Sequence, residues 1–331
     1  MNVVDFPESR RKTVLEATEA LENDLAVTKA GVSRKTLDST DVPSGPTQTN
    51  GMTEMCEKKY ELTDEVKKLS NGKVLHRIRA VRDFVAIDGK DVHEGDLGGW
   101  IEKEDNLSHD GDSWVFGNAI VYGNAMVHVN AVVSGDAEVR GNAEVFGNAN
   151  VFEGAVVHGD AKVFGNAEVL GEAIVRDDAE VFGRARIFGN AEVSGDAKVF
   201  GRANVYGNAN VYGKAEVHGD AWVYGDARVC GSAEVFEDVE VCGNAEVCDD
   251  AKVSSWNDYA TYKNTWSSGR WFTYTRSNKK WTVGCFRGTG EELIAKAYKD
   301  SERSGRCYEA IVRAQAAIDM ENEESVREEK E

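Results

Sequence analysis

The chain has 331 residues, with 39 Lys and Arg against 58 Asp and Glu, which gives a formal net charge of −19. Its 41% hydrophobic residues are ordinary for a folded protein, and its 3 prolines exclude a collagen-like chain. No run approaches the ~18 apolar residues of a membrane span, and residues 1–12 lack the apolar core of a signal peptide. These features predict a cytoplasmic protein whose acidic surface repels nucleic acid and acidic membranes unless the charge is segregated.

Residues 1–58 are predicted to form an N-terminal extension, with a helix over about 9–26 and a Ser-, Thr-, Pro- and Gly-rich linker over 32–50. Short strand patterns and a Gly-rich stretch follow over 59–110. The repeat that begins at Gly111 would expose open strand edges at its ends. Residues 59–110 are therefore predicted to be an N-terminal β cap.

A six-residue repeat occupies residues 111–254, which is 144 residues or 24 hexads without an insertion or deletion. Position five is Val in 23 hexads, position three is Ala in 22 and position one is Gly in 19. Apolar residues at positions three and five follow the period of a half-buried strand, and the Gly-Asn or Gly-Asp pair is typical of turns. One strand and one corner per hexad predict a triangular all-β solenoid of 24/3 = 8 coils.

The 18-residue coil can be tested on outward residues, because residues 18 apart should stack. At position four, one column nearly alternates in charge: Glu144, Lys162, Glu180, Lys198, Glu216, Glu234 and Lys252. At position six, the same face carries an aromatic column: His128, Phe146, Phe164, Phe182, Phe200, His218 and Phe236. A period of 12 or 24 would scramble the charge alternation, so the sequence favours the triangular prism.

After Ser254 the repeat ends and the charge changes sign. Residues 255–318 carry 11 Lys and Arg against 6 Asp and Glu, a net charge of +5, whereas the 24 hexads carry 10 against 23, a net charge of −13. Residues 255–318 are predicted to form a basic, Trp-rich α+β module, and residues 319–331 an acidic, frayed tail. Within the module we expect two strands, at 271–275 and 280–283, and two helices, the first starting near Thr289 or Gly290 and the second spanning about 305–317.

Two motifs outside the hexads resemble a known group of proteins. The first, GDLGGWIE, covers residues 95–102, and the second, TVGCFRGTGEELI, covers residues 282–294. Together with the repeat they resemble phage- and prophage-encoded hexapeptide-repeat proteins of bacteria over about residues 59–315. The resemblance implies a left-handed parallel β-helix, although Gly sits one place later here than in many hexapeptide acyltransferases. Such proteins are usually labelled acyltransferase or polymer-forming protein by analogy of fold.

The acyltransferase label implies a trimer, an acyl-CoA donor bound along the coil and a His general base, often near an extruded loop. His128 and His218 share a face but stand 90/18 = 5 coils apart, roughly 24 Å, and His158 lies on another face. The uninterrupted hexads also leave no catalytic loop. His109, at the start of the repeat, is therefore the weak candidate for a catalytic base.

Two other sets of side chains are candidates for binding. The aromatic column Phe146, Phe164, Phe182 and Phe200 is predicted to be a self-association surface, with a homotrimer as the expected oligomer, unless these rings only stiffen the coils. Cations beside Trp residues in the C-terminal module suit an anionic small molecule, a nucleotide or a protein partner, unless the Trp side chains only form a small core. These candidate ligand-binding residues are Arg270, Trp271, Arg276, Lys279, Lys280, Trp281 and Arg287.

Cys230 and Cys248 should stack one coil apart, within disulfide reach, but a cytosolic chain is expected to keep them reduced. No Cys or His spacing indicates a metal site, and no cofactor is predicted beyond acyl-CoA under the acyltransferase hypothesis. The leading hypothesis is a noncatalytic, self-associating scaffold of phage or prophage origin in the bacterial host cytoplasm, without a membrane partner. An acyltransferase and a virion fibre component are the alternatives.

Overall fold

The structure is a computed structural model that describes residues 58–87 and 89–328, with side chains described through Glu324. The helix and linker predicted within residues 1–58 lie outside this range. Each hexad contributes one two-residue strand, formed by positions four and five. The first of these is β6 (Trp114–Val115), and one strand follows every six residues up to β29 (Lys252–Val253).

Every third strand of the repeat joins the same parallel sheet, so the chain winds into a prism with three flat faces. The first face runs from β7 to β28, the second from β8 to β29 and the third from β6 to β27. On the second face, Glu144 pairs with Lys162 and Lys162 with Glu180, which confirms the 18-residue register. The predicted parallel β-helix is thus confirmed.

The interior of the prism is made almost entirely of Ala at position three and Val at position five. Nearly all of these side chains are fully buried, as Ala179 and Val181 are. The solenoid also begins earlier than the repeat, because β5 (Leu97–Ile101) pairs in parallel with β7 and Leu107 bridges to Val127. The first face consequently has nine parallel strands, and the solenoid has about nine turns instead of the eight predicted.

The cap precedes these coils. Strands β1 (Tyr60–Lys68) and β2 (Val74–Ala80) extend the first face in antiparallel fashion, and β3 (Phe84–Val85) and β4 (Asp91–Val92) form a separate hairpin. A 3-10 turn at Glu104–Asn106 leads from β5 into the next side of the prism.

The C-terminal module is a four-stranded antiparallel meander followed by two helices. Two of its strands, β31 (Trp271–Thr275) and β32 (Lys280–Val283), are those expected from sequence, and helix α1 (Gly290–Asp300) is capped by Thr289 as expected. The other elements are β30 (Tyr259–Lys263), β33 (Phe286–Thr289) and helix α2 (Glu302–Glu328). Among the helices of the described chain, none has the length and apolarity to cross a membrane.

Outside the two-residue strand pairs, the hydrogen bonds between coils run in one direction. The N–H groups at positions two, four and six donate to the carbonyls at positions one, three and five of the next coil, as Glu144 N does to Ala161 O at 2.9 Å. These bonds leave the carbonyls of positions one, three and five open at the N-terminal end of the prism, and the N–H groups of positions two, four and six open at the C-terminal end. Because buried backbone groups need partners, the two ends require caps of opposite chemistry.

The N-terminal cap supplies donors. The buried Lys59 ammonium donates to the carbonyls of Gly111 at 3.1 Å and Ser113 at 2.7 Å. The buried Asn106 amide donates to two more carbonyls, those of Gly123 at 3.2 Å and Ala125 at 2.8 Å.

The C-terminal end receives acceptors. Thr273 Oγ1 accepts from Glu246 N at 2.8 Å, and Ser277 Oγ accepts from Lys252 N at 2.7 Å. The Asp258 carboxylate accepts from Ser254 N at 2.8 Å. Both ends of the prism therefore carry side chains that match the polarity of the backbone groups they cap.

Corner position one requires a left-handed backbone in all 24 hexads, and the 19 Gly residues there have φ between 64° and 78°. Val129 holds the same conformation at φ 61°, although a β-branched residue is strained there. We expect Val129→Gly to raise the free energy of unfolding by about 1 kcal/mol, since relief of strain outweighs the added chain entropy. Chemical denaturation would measure this change.

The reverse substitution one coil along is the matched control. A Cβ at Gly147 would lie 2.9 Å from the Gly165 backbone nitrogen, so Gly147→Val should lower stability by about 2 kcal/mol or more. A loss of stability in Val129→Gly would show that corner strain does not limit this fold.

Candidate functional site

The C-terminal module is built around the aromatic residues of its strands. Phe272, Tyr274 and Trp281 pack with Leu293 of α1 and Tyr308 of α2 in one buried cluster. Trp281 is 2% exposed, and its ring centroid lies 5.0 Å from that of Tyr274. Trp281, one of the seven predicted ligand-binding residues, therefore lies in the core and cannot contact a ligand in this conformation.

Four of the predicted cations are paired with carboxylates of the same chain. Arg276 lies 3.1 Å from Asp319 and Lys279 lies 3.7 Å from Glu323, both acids being on α2. Lys280 and Arg287 instead reach the last coil of the prism, where both approach Asp249, at 3.1 Å and 3.8 Å. The hydrogen bond to Asp249 raises the pKa of Lys280. These cations hold the module together or anchor it to the prism.

The remaining two predicted residues, Arg270 and Trp271, are exposed. Lys263 joins them, because β30 and β31 pair it with Trp271 and place its ammonium 5.4 Å from the indole centroid. These three side chains form what we call the basic patch. The sequence did not indicate Lys263 as a binding residue, because β30 was not predicted as a strand. The alternation of Tyr259, Thr261 and Lys263 with Ala260 and Tyr262 was the available signal.

The acidic tail also behaves differently from the expectation of fraying. Helix α2 continues through Glu328, and Asp319 is buried where it meets the sheet. The Tyr274 hydroxyl donates to Asp319, and the Gln315 amide donates to it at 3.0 Å. Burial and this hydrogen bond raise the pKa of Tyr274. Through Asp319 and Glu323 the helix pairs with Arg276 and Lys279, which lie in the turn between β31 and β32.

His109, the weak candidate base, is enclosed by the N-terminal cap. Its ring stacks on Tyr60 with centroids 4.3 Å apart, and its Nδ1 accepts a hydrogen bond from the Lys59 backbone N–H at 3.1 Å. Its Nε2 is buried without a hydrogen bond. Burial lowers the pKa of His109. A general base needs a lone pair that faces substrate, and in this arrangement neither ring nitrogen offers one.

The three histidines of the repeat are rungs of outward columns. His128 stacks on Phe146 at 5.0 Å and His218 on Phe200 at 4.7 Å, and His218 also contacts Glu234 at 3.2 Å. His158 lies on a different face, and burial lowers its pKa. The three do not converge.

The aromatic column forms a continuous stack along the edge of the second face. Phe146, Phe164, Phe182 and Phe200 follow one another at 4.9 Å between centroids, with their planes within 6° of parallel. The rings are half-buried, because each covers the faces of its neighbours. The column therefore joins successive coils, and only its ring edges are open to another surface.

Cys230 and Cys248 are joined by a disulfide, with 4.5 Å between their Cα atoms. Both are buried beneath the C-terminal module, and Arg287 Nη2 lies 3.1 Å from Cys230 Sγ. The expectation that these two thiols are reduced is wrong for this structure. The stacking distance was predictable from the 18-residue period, but the oxidation state was inferred from an assumed compartment.

Within the described residues, no group of three or more His, Cys, Asp or Glu side chains is placed to hold a metal ion. Of the predicted binding residues that the structure describes, those left open to solvent are Arg270 and Trp271 of the basic patch and the ring edges of the aromatic column. No protein-family model matches the chain, and a search of curated proteins found no match either.

Proposed function

We propose that this chain is a noncatalytic, self-associating β-helix scaffold that presents its C-terminal module to an anionic ligand or partner. The observation that carries the proposal is the basic patch, which stands outward on a module fixed to the end of a regular prism. The prism is a rigid spacer, since every coil is bonded to the next through its backbone.

The attachment of the module supports presentation at a fixed angle. Thr273 and Ser277 cap backbone groups of the last coil, and Lys280 pairs with Asp249. The Tyr259 hydroxyl adds a bond to the carbonyl of Glu240 at 2.9 Å. A module held at several points moves with the prism, so a ligand on the basic patch would be held in a defined direction.

The chemistry of the basic patch favours a flat, negatively charged ligand. Lys263 and Arg270 supply positive charge, and the indole of Trp271, 39% exposed, supplies a stacking surface. Phosphate-bearing heterocycles combine both properties. Nucleotides and short single-stranded nucleic acids are therefore the class of ligand that we expect.

Closed prism ends support lateral self-association over end-to-end polymerisation. Open parallel edges would recruit further strands, but here several edge groups bond to Lys59 and Asn106 at one end and to Thr273, Ser277 and Asp258 at the other. Self-association would then use the sides of the prism, where the ring edges of the aromatic column are open.

A thermal-shift screen against acyl-CoAs, nucleotides and short oligonucleotides tests the binding proposal. We expect an anionic aromatic ligand to raise the unfolding temperature of the wild type, and Arg270→Ala/Trp271→Ala to weaken its affinity roughly 10-fold to 100-fold. Arg303→Ala/Arg306→Ala, on exposed positions of α2, is the matched control. Saturable acyl-CoA binding that His109→Ala abolishes would instead support the acyltransferase.

A phage or prophage origin is proposed from the resemblance of the two flanking motifs and the hexads. A host cytoplasmic location is likewise proposed from the sequence, and the Cys230–Cys248 disulfide is the observation against it, because buried disulfides are typical of oxidising compartments.

A further inference from the structure

One corner of the prism carries unpaired charges in blocks. It lies between the second and third faces, beside the aromatic column, and its position-two residues on four successive coils are Arg184, Arg202, Asp220 and Asp238. All four are exposed. Within the described residues, the charged side-chain groups of these four make no ion pair and no hydrogen bond.

Within one chain, two arginines followed by two aspartates along this corner are electrostatically unfavourable. Backbone bonds of 2.7 Å, from Arg184 N to Gly201 O and from Arg202 N to Gly219 O, place the residues on adjacent coils. Stacked strands are about 4.8 Å apart, so Arg184 repels Arg202 and Asp220 repels Asp238. On the second face, by contrast, opposite charges nearly alternate and several pair within the chain, as Lys198 does with Glu180 at 3.6 Å.

Between two copies related by a two-fold axis, the same order of charges becomes complementary. If a second copy runs antiparallel, with the axis perpendicular to the prism and level with the gap between Arg202 and Asp220, Arg202 faces Asp220 of the second copy. Arg184 then faces Asp238 of the second copy. Symmetry repeats both contacts, which gives four ion pairs in an isologous interface. In a parallel dimer at this corner, residues of like charge would face each other at the same height along the prism.

The same axis also aligns the apolar part of the corner. Phe182 comes level with Phe236 of the second copy, and Phe200 with His218 of the second copy, so the open ring edges meet between two rows of charge. An apolar strip with a charged rim is the usual anatomy of a specific interface.

Trp256 extends this match. It follows Asp238 by 18 residues, just past the last coil, and at 84% it is an unusually exposed indole. The two-fold axis places Trp256 at the same height along the prism as Asn166 and Phe164 of the second copy. A large exposed Trp at the end of a charge-complementary strip fits the role of an interface anchor.

We propose that this corner is an antiparallel dimer interface whose partner is a second copy of the chain. The inference rests on the self-association in the proposed function and specifies its surface, orientation and register. It proposes an antiparallel dimer in place of the homotrimer expected from sequence.

Complementary charge reversal tests it. Arg184→Glu/Arg202→Glu and Asp220→Arg/Asp238→Arg should each weaken self-association by roughly 100-fold or more, because like charges then face across the axis. An equimolar mixture of the two variants should recover a heterodimer, since every facing pair is then opposite in charge. Sedimentation velocity measures all three states, and circular dichroism confirms that the variants are folded.

Lys214→Glu/Arg228→Glu makes the same change in net charge on other parts of the prism, and should leave the mass unchanged. Trp256→Ala should weaken the dimer without altering the charge specificity. A mixture that stays monomeric, or an oligomeric wild type insensitive to either reversal, would overturn this interface while leaving self-association intact. A monomeric wild type would overturn both.

Discussion

Asn106→Asp is expected to lower the free energy of unfolding by about 3 kcal/mol, although the two side chains have nearly the same shape. The Asn106 amide donates to the carbonyls of Gly123 and Ala125, and a carboxylate at this position would present acceptors to acceptors. Both carbonyls would lose their donor, and the new buried charge would keep only the Lys103 N–H, which donates to Asn106 Oδ1 at 2.9 Å. Chemical denaturation at neutral pH measures the loss.

Acidification provides an internal check on the cause. A protonated carboxyl can donate to one of the two carbonyls, so the defect of Asn106→Asp should shrink as the pH falls. Asn106→Leu removes the donor without adding a charge. It should also be destabilising but should show no such recovery.

The C-terminal end of the prism offers the matched control, an Asp-to-Asn substitution. Asp258 accepts from Ser254 N and Ser255 N, and Asp258→Asn keeps one side-chain oxygen as an acceptor. We expect this variant to lose only about 1 kcal/mol. Equal losses from the two exchanges would contradict the idea that the ends of the prism differ in hydrogen-bond polarity.

Reduction of the Cys230–Cys248 disulfide is expected to lower the stability of the last coils by about 3 kcal/mol, the value for closing a loop of about this length. The bond ties the last two coils together under the C-terminal module. A reducing agent should therefore lower the denaturation midpoint of the wild type, and limited proteolysis of the module should become faster.

Cys230→Ala/Cys248→Ala should be destabilised to a similar degree and should no longer respond to reductant, whereas Cys242→Ala should still respond. Thiol titration of the unfolded protein should find two fewer free thiols before reduction than after it. Six free thiols without reductant would contradict the disulfide and restore the expectation of reduced cysteines.

The period of the sequence was enough to predict the prism. Ala at position three and Val at position five alternate with the pleat, Gly at position one allows the left-handed corner, and 18-residue spacing pairs Glu144 with Lys162. Local geometry and a single repeated contact decide these features, so they could be derived without knowing the rest of the chain. The ninth turn was missed because β5 departs from the hexad phrase, and its pairing with β7 is a tertiary contact.

The candidate site was only partly predictable. Composition located a basic, aromatic module, but four of its cations are neutralised by acids distant in sequence, such as Asp319 for Arg276 and Asp249 for Lys280. Trp271 and Trp281 lie in neighbouring strands and read alike in sequence, yet one is exposed and the other is core. Side-chain alternation and helix docking decide which of them faces outward.

The net acidic charge and the glycine content show the same division between what the sequence determines and what the tertiary structure decides. The sequence alone determined that the glycine is periodic and that the charge is split between an acidic repeat and a basic module, because both are properties of residue order. The tertiary structure alone decided which charges remain unpaired. Within the described residues, folding pairs Arg276, Lys279, Lys280 and Arg287 with carboxylates but gives no such partner to Lys263, Arg270 or the charged corner of Arg184, Arg202, Asp220 and Asp238. Charge pairing depends on distances that only the packed chain sets.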